Sequence, residues 1–194
     1  MANDIKRCAW CAQVPELIHY HDTEWGFPVY DDQHLFEKIC LEIFQCGLSW
    51  RTVLEKRSRL RLVFHGFEHE RMARMTDDDV ERLMQDAGII RHRGKIRAVI
   101  HNAARVPRLL KEEGSLASFI WRFAPDDSVA HVPQSVTTSP ESLALAKALK
   151  SRGWKFVGPT NMYAFMQSMG LINDHETDCA IRDQVFQARA ALNS

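Results

Sequence analysis

Two short segments at opposite ends of this chain carry donors suited to a tetrahedral zinc ion: Cys8, Cys11, His19 and His21 near the start, His175 and Cys179 near the end. Structural zinc takes four thiolate and imidazole ligands, so an ion shared by these segments would tie the two ends of the chain together. The spacing of four between His175 and Cys179 puts both donors on one face of a helical turn. At the other end the choice stays open. Cys8 and Cys11 form a C-x-x-C pair that could give both thiols to a metal or act as a redox couple, and no strand-helix-strand pattern surrounds it to favour the redox reading. His19 and His21 point the same way on an extended segment, so spacing does not separate them.

A second constellation is aromatic. Trp10, Tyr20, Trp25 and Trp50 all fall in the first quarter of the chain, near the metal-ligand candidates, and each taken alone would be ordinary packing. Glu42 changes that reading. It lies seven residues after Leu35 and four before Cys46, at the border of an apolar helical stripe, where its carboxylate is partly buried close to Trp50. A buried carboxylate needs partners or takes up a proton. Combined with aromatic walls, it makes a place to stack and hydrogen-bond a planar ring.

The third feature runs from Leu83 to Ile96, a helix, a turn bracketed by Gly88 and Gly94, and a second helix. Backbone amides at the start of that second helix form an anion site, and Arg91, Arg93 and Lys95 add charge. Such a hairpin can hold a nucleic-acid phosphate without reading sequence. An ordinary αα-corner is the competing reading of the same pattern.

Helices must position these groups. Leu35, Phe36, Ile39, Cys40 and Ile43 recur at spacings of three and four between Asp32 and Cys46, the stripe of a buried helix. Thr76 caps a helix whose first turn is Asp77-Asp78-Asp79 and which runs through Val80, Leu83 and Met84 to Gly88. Another starts near Gly94 with Ile96, Val99, Ile100 and Ala103 inward, and Pro107 kinks or splits it. Further helices fit Leu116 to Phe123, Pro140 to Lys150 and Thr160 to Met169, with a start signal at Ser139-Pro140-Glu141 and stops at Gly153 and Gly170. Strand-like alternation is nearly absent, so the expected fold class is all-α. Ala124 to Thr138 reads as one long loop that could divide the chain into two lobes.

At 194 residues and 45% hydrophobic content the chain can bury a substantial core as one unit over 1–194, or as two small helical lobes. There is no basic region followed by an apolar run, and no apolar stretch of bilayer length, which points to a cytoplasmic protein without a membrane. Five cysteines, an odd number, argue for reduced thiols, some of them on a metal, with Cys40 and Cys46 in the core. The 25 basic and 25 acidic residues cancel, yet basic residues gather at 51–61, 91–97 and 147–155. One face is therefore positive despite the neutral total, or these clusters are solvated helix faces.

Five motifs then occur in order: Cys8-x-Trp10; Tyr20-His21-Asp22-x-Glu24-Trp25-Gly26; Leu41-Glu42 with Gly47-Leu48-Ser49-Trp50; Asp86-Ala87-Gly88-Ile89-Ile90-Arg91-His92-Arg93-Gly94-Lys95-Ile96; and Phe156-Val157-Gly158 with Asn173-Asp174-His175. From about Cys8 to Cys179 the chain resembles the bacterial 3-methyladenine DNA glycosylase I family. The resemblance implies a helix-hairpin-helix DNA glycosylase fold, with the hairpin element at about 80–106, and hydrolysis of the bond between deoxyribose and 3-methyladenine in alkylated double-stranded DNA. It implies a structural Zn2+ on Cys8, His21, His175 and Cys179, leaving Cys11 a free thiol. The flipped base would be received by Glu42, Tyr20 and Trp50, with Trp10 and Trp25 beside them. Gly88, Arg91, Arg93, Gly94 and Lys95 would meet the DNA backbone.

In that family the glutamate matched by Glu42 chiefly recognises the base. The Asp that many helix-hairpin-helix glycosylases use is missing from Ala98-Val99-Ile100-His101-Asn102, and Lys95 is read as a phosphate contact and not as a nucleophile, so a monofunctional enzyme without strand cleavage is expected; a monomer is a separate expectation. A cationic ring is drawn to aromatic faces and a carboxylate, and alkylation also weakens its bond to the sugar. One departure is Leu17, where the family often has a second tyrosine, which implies looser base recognition; another is Phe44, which implies a more apolar pocket wall. Two rivals are a non-catalytic helix-hairpin-helix DNA-binding protein, which should lack the Glu42 and Trp50 pocket, and a zinc-stapled scaffold for a protein partner, which need not bind DNA.

Overall fold

Polar caps and apolar stripes turn most of the chain into helices. The structure, a computed structural model, describes residues 5–11, 14–126 and 131–191. Its helices are α1 (Pro15–Thr23), α2 (Asp32–Gln45), α3 (Trp50–Val63), α4 (His69–Met72), α5 (Asp77–Met84), α6 (Arg93–Ala103), α7 (Val106–Glu113), α8 (Leu116–Trp121), α9 (Pro140–Ser151), α10 (Pro159–Ser168) and α11 (Arg182–Ala190). No strand occurs among the described residues. The side chains of Asp31, Ser49, Thr76, Ser115 and Ser139 cap α2, α3, α5, α8 and α9, each accepting a backbone N–H that the helix leaves unpaired. Asp32 works for a different helix: its carboxylate accepts from Leu116 N at 3.0 Å and Ala117 N at 2.8 Å, fixing α8 across the core.

The axis of the fold is α2, packed against α3, α6, α8 and α10. Every residue from Leu35 to Phe44 is buried, so no face of this stretch is left for water. Its apolar residues join the main core. Its polar ones, Glu37, Lys38 and Glu42, must find partners inside the protein. A second, smaller cluster gathers Cys8, Tyr20, Trp25, Cys179, Ile181 and Val185 from the two ends of the chain.

Several local expectations are corrected. The 19–21 segment is not extended but lies on α1, where residues two apart diverge; His21 is buried while His19 is exposed. His175 and Cys179 sit on an irregular turn, closed by Cys179 N to Glu176 O at 3.0 Å, and not on a helix. Pro107 splits its helix outright: α6 ends at Ala103 and α7 starts at Val106. Leu17 is buried, and Phe44 lies in the core against Phe64 and not on a pocket wall. Part of the long loop expected over 124–138, residues 127–130, lies outside the described residues. No described helix is long and apolar enough to cross a membrane.

Gly170 ends α10 against the 26–29 segment. Its φ is +79°, and a Cβ there would stand 2.5 Å from Pro28 N and 2.6 Å from Phe27 C. The approach is locked by Gly26 N to Ser168 O and Val29 N to Met169 O, at 3.3 and 3.2 Å. Backbone cannot yield as a flexible side chain can. Gly170→Ala is expected to cost about 2–4 kcal/mol from positive-φ strain and overpacking, read as a lower midpoint in chemical denaturation.

Candidate functional site

A cleft of about 350 Å³ opens between the C-terminal half of α2, the start of α3, α1 and α10. Trp10, Tyr20, Trp25, Glu42 and Trp50, all singled out in the sequence, line it together. Tyr20 and Trp50 face each other with ring centroids 5.1 Å apart, and Trp10 meets Trp25 edge to face at 5.1 Å. Leu17 is not among the lining residues.

Glu42 is 4% exposed. Its partner is Lys38, one helical turn earlier on α2, whose ammonium lies 2.9 Å from Glu42 Oε1. The same ammonium donates to Tyr20 Oη at 2.9 Å and stands 3.4 Å from the Trp50 ring centroid. Burial presses the Lys38 ammonium below the usual lysine range, against the pull of Glu42. Sequence reasoning missed this lysine; the available signal was its i,i+4 spacing from Glu42 within an otherwise apolar stripe.

The far wall comes from residues that no motif flagged. Gln134, Tyr163 and Gln167 line the cleft. Buried Asp174 organises the two glutamines: it accepts from Gln134 N at 2.8 Å, from His131 Nε2 at 2.5 Å and from Gln167 Nε2. Trp50 Nε1 and Tyr163 Oη, both on lining residues, are buried donors without a partner among the described residues.

Next to the cleft, Cys8, His21, His175 and Cys179 are all buried, with one ligand atom of each within 4.8 Å of the others. His175 Nδ1 lies 3.2 Å from His21 Nε2, 3.5 Å from Cys179 Sγ and 3.7 Å from Cys8 Sγ; Cys179 Sγ lies 3.5 Å from His21 Nε2. Tetrahedral zinc with ordinary bond lengths separates two nitrogens by about 3.3 Å and nitrogen from sulfur by about 3.6 Å, so the donor set fits the ion. Each imidazole is fixed through its other nitrogen: His21 Nδ1 by Asp22 Oδ1 at 2.8 Å, His175 Nε2 by the Trp25 carbonyl at 3.0 Å. Arg7 in turn holds Asp22 at 2.9 Å. Burial pushes the Cys8 thiol up to about 12 and the His175 imidazole down to about 4. Cys11 is outside the cluster, its thiol donating to Cys8 O.

The hairpin joins α5 and α6 as expected, but its charges are mostly engaged. Arg93 pairs with Glu81, Arg97 with Asp77 and Arg59 with Asp86, whose carboxylate also accepts from Gly88 N at 2.8 Å. Lys95 requires a correction. It is 5% exposed, and its ammonium donates to the Phe44 and Cys46 carbonyls at 2.9 and 2.5 Å, capping the C-terminal end of α2. It does not present its charge to solvent. His92 accepts from Lys95 N and so closes part of the amide site at the start of α6. Arg91 remains exposed, with no partner among the described residues.

The methyladenine glycosylase profile matches residues 10–183. This chain belongs to that family. It is 49% identical over 184 residues to DNA-3-methyladenine glycosylase 1 of Escherichia coli, covering 90% of this chain and 96% of the relative. It is likewise 49% identical to DNA-3-methyladenine glycosylase of Haemophilus influenzae, over 89% of this chain and 96% of that one. A solved structure of 3-methyladenine DNA glycosylase I from Staphylococcus aureus, described for its recognition of 3-methyladenine, superposes with a TM-score of 0.85 at 34% identity, over 92% of this chain and 97% of that one. The family match spans the cleft, the hairpin and three of the four buried donors, His21, His175 and Cys179, and begins two residues after Cys8.

Proposed function

We propose that this protein excises 3-methyladenine from alkylated double-stranded DNA by hydrolysing its glycosidic bond, the first step of base excision repair. The observation that carries this reading is the convergence of Tyr20, Trp50 and a buried Glu42 on one cleft of nucleobase size. The nucleotide leaves the duplex, its base stacks on the aromatic walls, and the Glu42 carboxylate accepts hydrogen bonds from its edge. A positively charged alkylated base is already a good leaving group, so the protein's task is to bind and orient it while water attacks the sugar. Among the described residues no lysine that could attack the sugar lies in the cleft facing solvent: Lys38 is held by Glu42 and Tyr20, and Lys95 by two carbonyls. That supports a monofunctional enzyme.

The four donors Cys8, His21, His175 and Cys179 are proposed to hold a structural Zn2+, a reading supported by their separations and fixed imidazoles. The α5–α6 hairpin is proposed as the helix-hairpin-helix grip on the DNA backbone, in a monomer working in the cytoplasm where its DNA lies. Arg91 is the exposed cation of that grip. Arg91→Ala is expected to weaken binding to every duplex sequence and to lower the slope of log affinity against log salt by about one, whereas Lys95→Ala lowers thermal stability first.

The test is release of bases from methylated duplex DNA, separated by chromatography. Release of 3-methyladenine with little 7-methylguanine supports the selective glycosylase. Salt-dependent DNA binding without any release supports a non-catalytic DNA-binding protein, and no DNA binding at all supports the scaffold reading.

A further inference from the structure

Attraction between a cationic base and a bare carboxylate is the simplest account of selectivity for alkylated adenine, yet the Glu42 wall of the cleft carries no net charge. Glu42 already carries a cation on Oε1, and that same cation lies against the Trp50 ring at 3.4 Å. The ammonium has three directions to satisfy, and Glu42, Tyr20 and Trp50 take them all. Other charges packed near it, Glu24 and Arg57, are paired with each other at 2.5 and 2.9 Å and cancel. At the Glu42 wall the charge that a ring meets is therefore set by Lys38 and Glu42, and there it sums to zero; the other buried carboxylate, Asp174, lies behind the opposite wall and is taken up by Gln134, Gln167 and His131.

We propose that Lys38 is a specificity-determining and positioning residue: it fixes Glu42, Tyr20 and Trp50 in the cleft wall and balances the carboxylate, so that this wall selects a base by hydrogen bonding and shape and not by net charge. The inference rests on reading the cleft as the base pocket. The carboxylate keeps its acceptor geometry, with Oε1 on Lys38 and no described residue bonded to Oε2. Lys38 also removes a liability. An unbalanced carboxylate between aromatic rings would hold the cationic nucleobase more tightly before its bond to the sugar breaks than after, when the base departs neutral, and ground-state binding of that kind slows the reaction.

The test uses tryptophan fluorescence, since Trp10, Trp25 and Trp50 line the cleft, with two probes at pH 7.5 and 8.5: free 3-methyladenine, and the 3,9-dimethyladeninium cation. Lys38→Met, nearly the same length without the charge, is expected to raise the affinity ratio of cation to neutral base by about tenfold or more, because one unit charge close to the ring has been removed from a poorly solvated site. Glu42→Gln should lower that ratio. The double variant Lys38→Met/Glu42→Gln, which buries no charge and so folds even if the single variants do not, should return it to the wild-type value. If Lys38→Met binds the cation more tightly, single-turnover excision should also slow. A ratio unchanged in all three variants at both pH values overturns the role of Lys38 while leaving the base pocket intact. Failure of either probe to perturb the wild-type fluorescence would instead overturn the reading of the cleft as the base pocket.

Discussion

Glu42→Gln is expected to lower excision of 3-methyladenine by about 10- to 100-fold, the equivalent of a charged hydrogen bond worth about 1.5–3 kcal/mol. The substitution keeps the shape of the side chain, so Tyr20 and Trp50 stay in place and the buried Cys and His cluster is untouched. What changes is the acceptor. An amide offers one oxygen where the carboxylate offers two, and the Lys38 ammonium claims it; the base then meets an NH2 where it needs a lone pair. The variant also leaves Lys38, 3% exposed, without a counterion, so a modest drop in thermal stability should accompany the lost activity. Single-turnover release of the base, measured with saturating enzyme, separates the two effects, because an unfolded fraction leaves the saturated rate unchanged whereas a defective pocket lowers it. Unchanged rates would remove Glu42 from base recognition.

The sequence was most legible where a helix buries one face and solvates the other. For α5, α6, α9 and α10 the apolar spacing and the caps at Thr76 and Ser139 place each element to within a few residues. α3 was not visible because only Val53 and Leu60 along it are buried. Much of its further hold on the fold is ionic, Arg57 to Glu24 and Arg61 to Glu37, and those partners lie just past the end of α1 and on α2, where no local pattern can reveal them. α1 was hidden for a related reason: its inward positions include Tyr20 and His21, chosen for chemistry and not for packing. The expected basic face has the same origin. Runs of arginine look free in one dimension, whereas in the fold Arg57, Arg59, Arg61, Arg93 and Arg97 each meet a carboxylate. The cleft was half legible. Its aromatic wall and Glu42 are crowded into the first quarter of the chain, but Gln134, Tyr163, Gln167 and Asp174 come together only through tertiary structure.

Loss of the zinc proposed for the Cys8, His21, His175 and Cys179 cluster is expected to lower both stability and base binding. Cys179→Ala should abolish stoichiometric zinc, measured by elemental analysis, and cost about 4 kcal/mol, the scale for releasing a cross-link that closes a loop of more than about 100 residues. For a chain of this size that corresponds to a fall in melting temperature of about 10 °C. Cys11→Ala is the control and should keep the metal, since that thiol donates to a carbonyl outside the donor set. The effect on the cleft follows from shared parts. His21 is the neighbour of Tyr20, the His175 ring is held by the Trp25 carbonyl, and Trp10 packs against His21 and Trp25 with centroids 5.4 and 5.1 Å away. Three of the walls that would receive a base are thus set by residues one or two positions from a ligand, or bonded to one. Chelation of the wild-type protein at a temperature where it stays folded should therefore weaken 3-methyladenine binding, with a change in tryptophan fluorescence before any loss of helical circular dichroism. A chelated protein that melts as before and binds the base as before would show that these four side chains pack as an ordinary buried cluster.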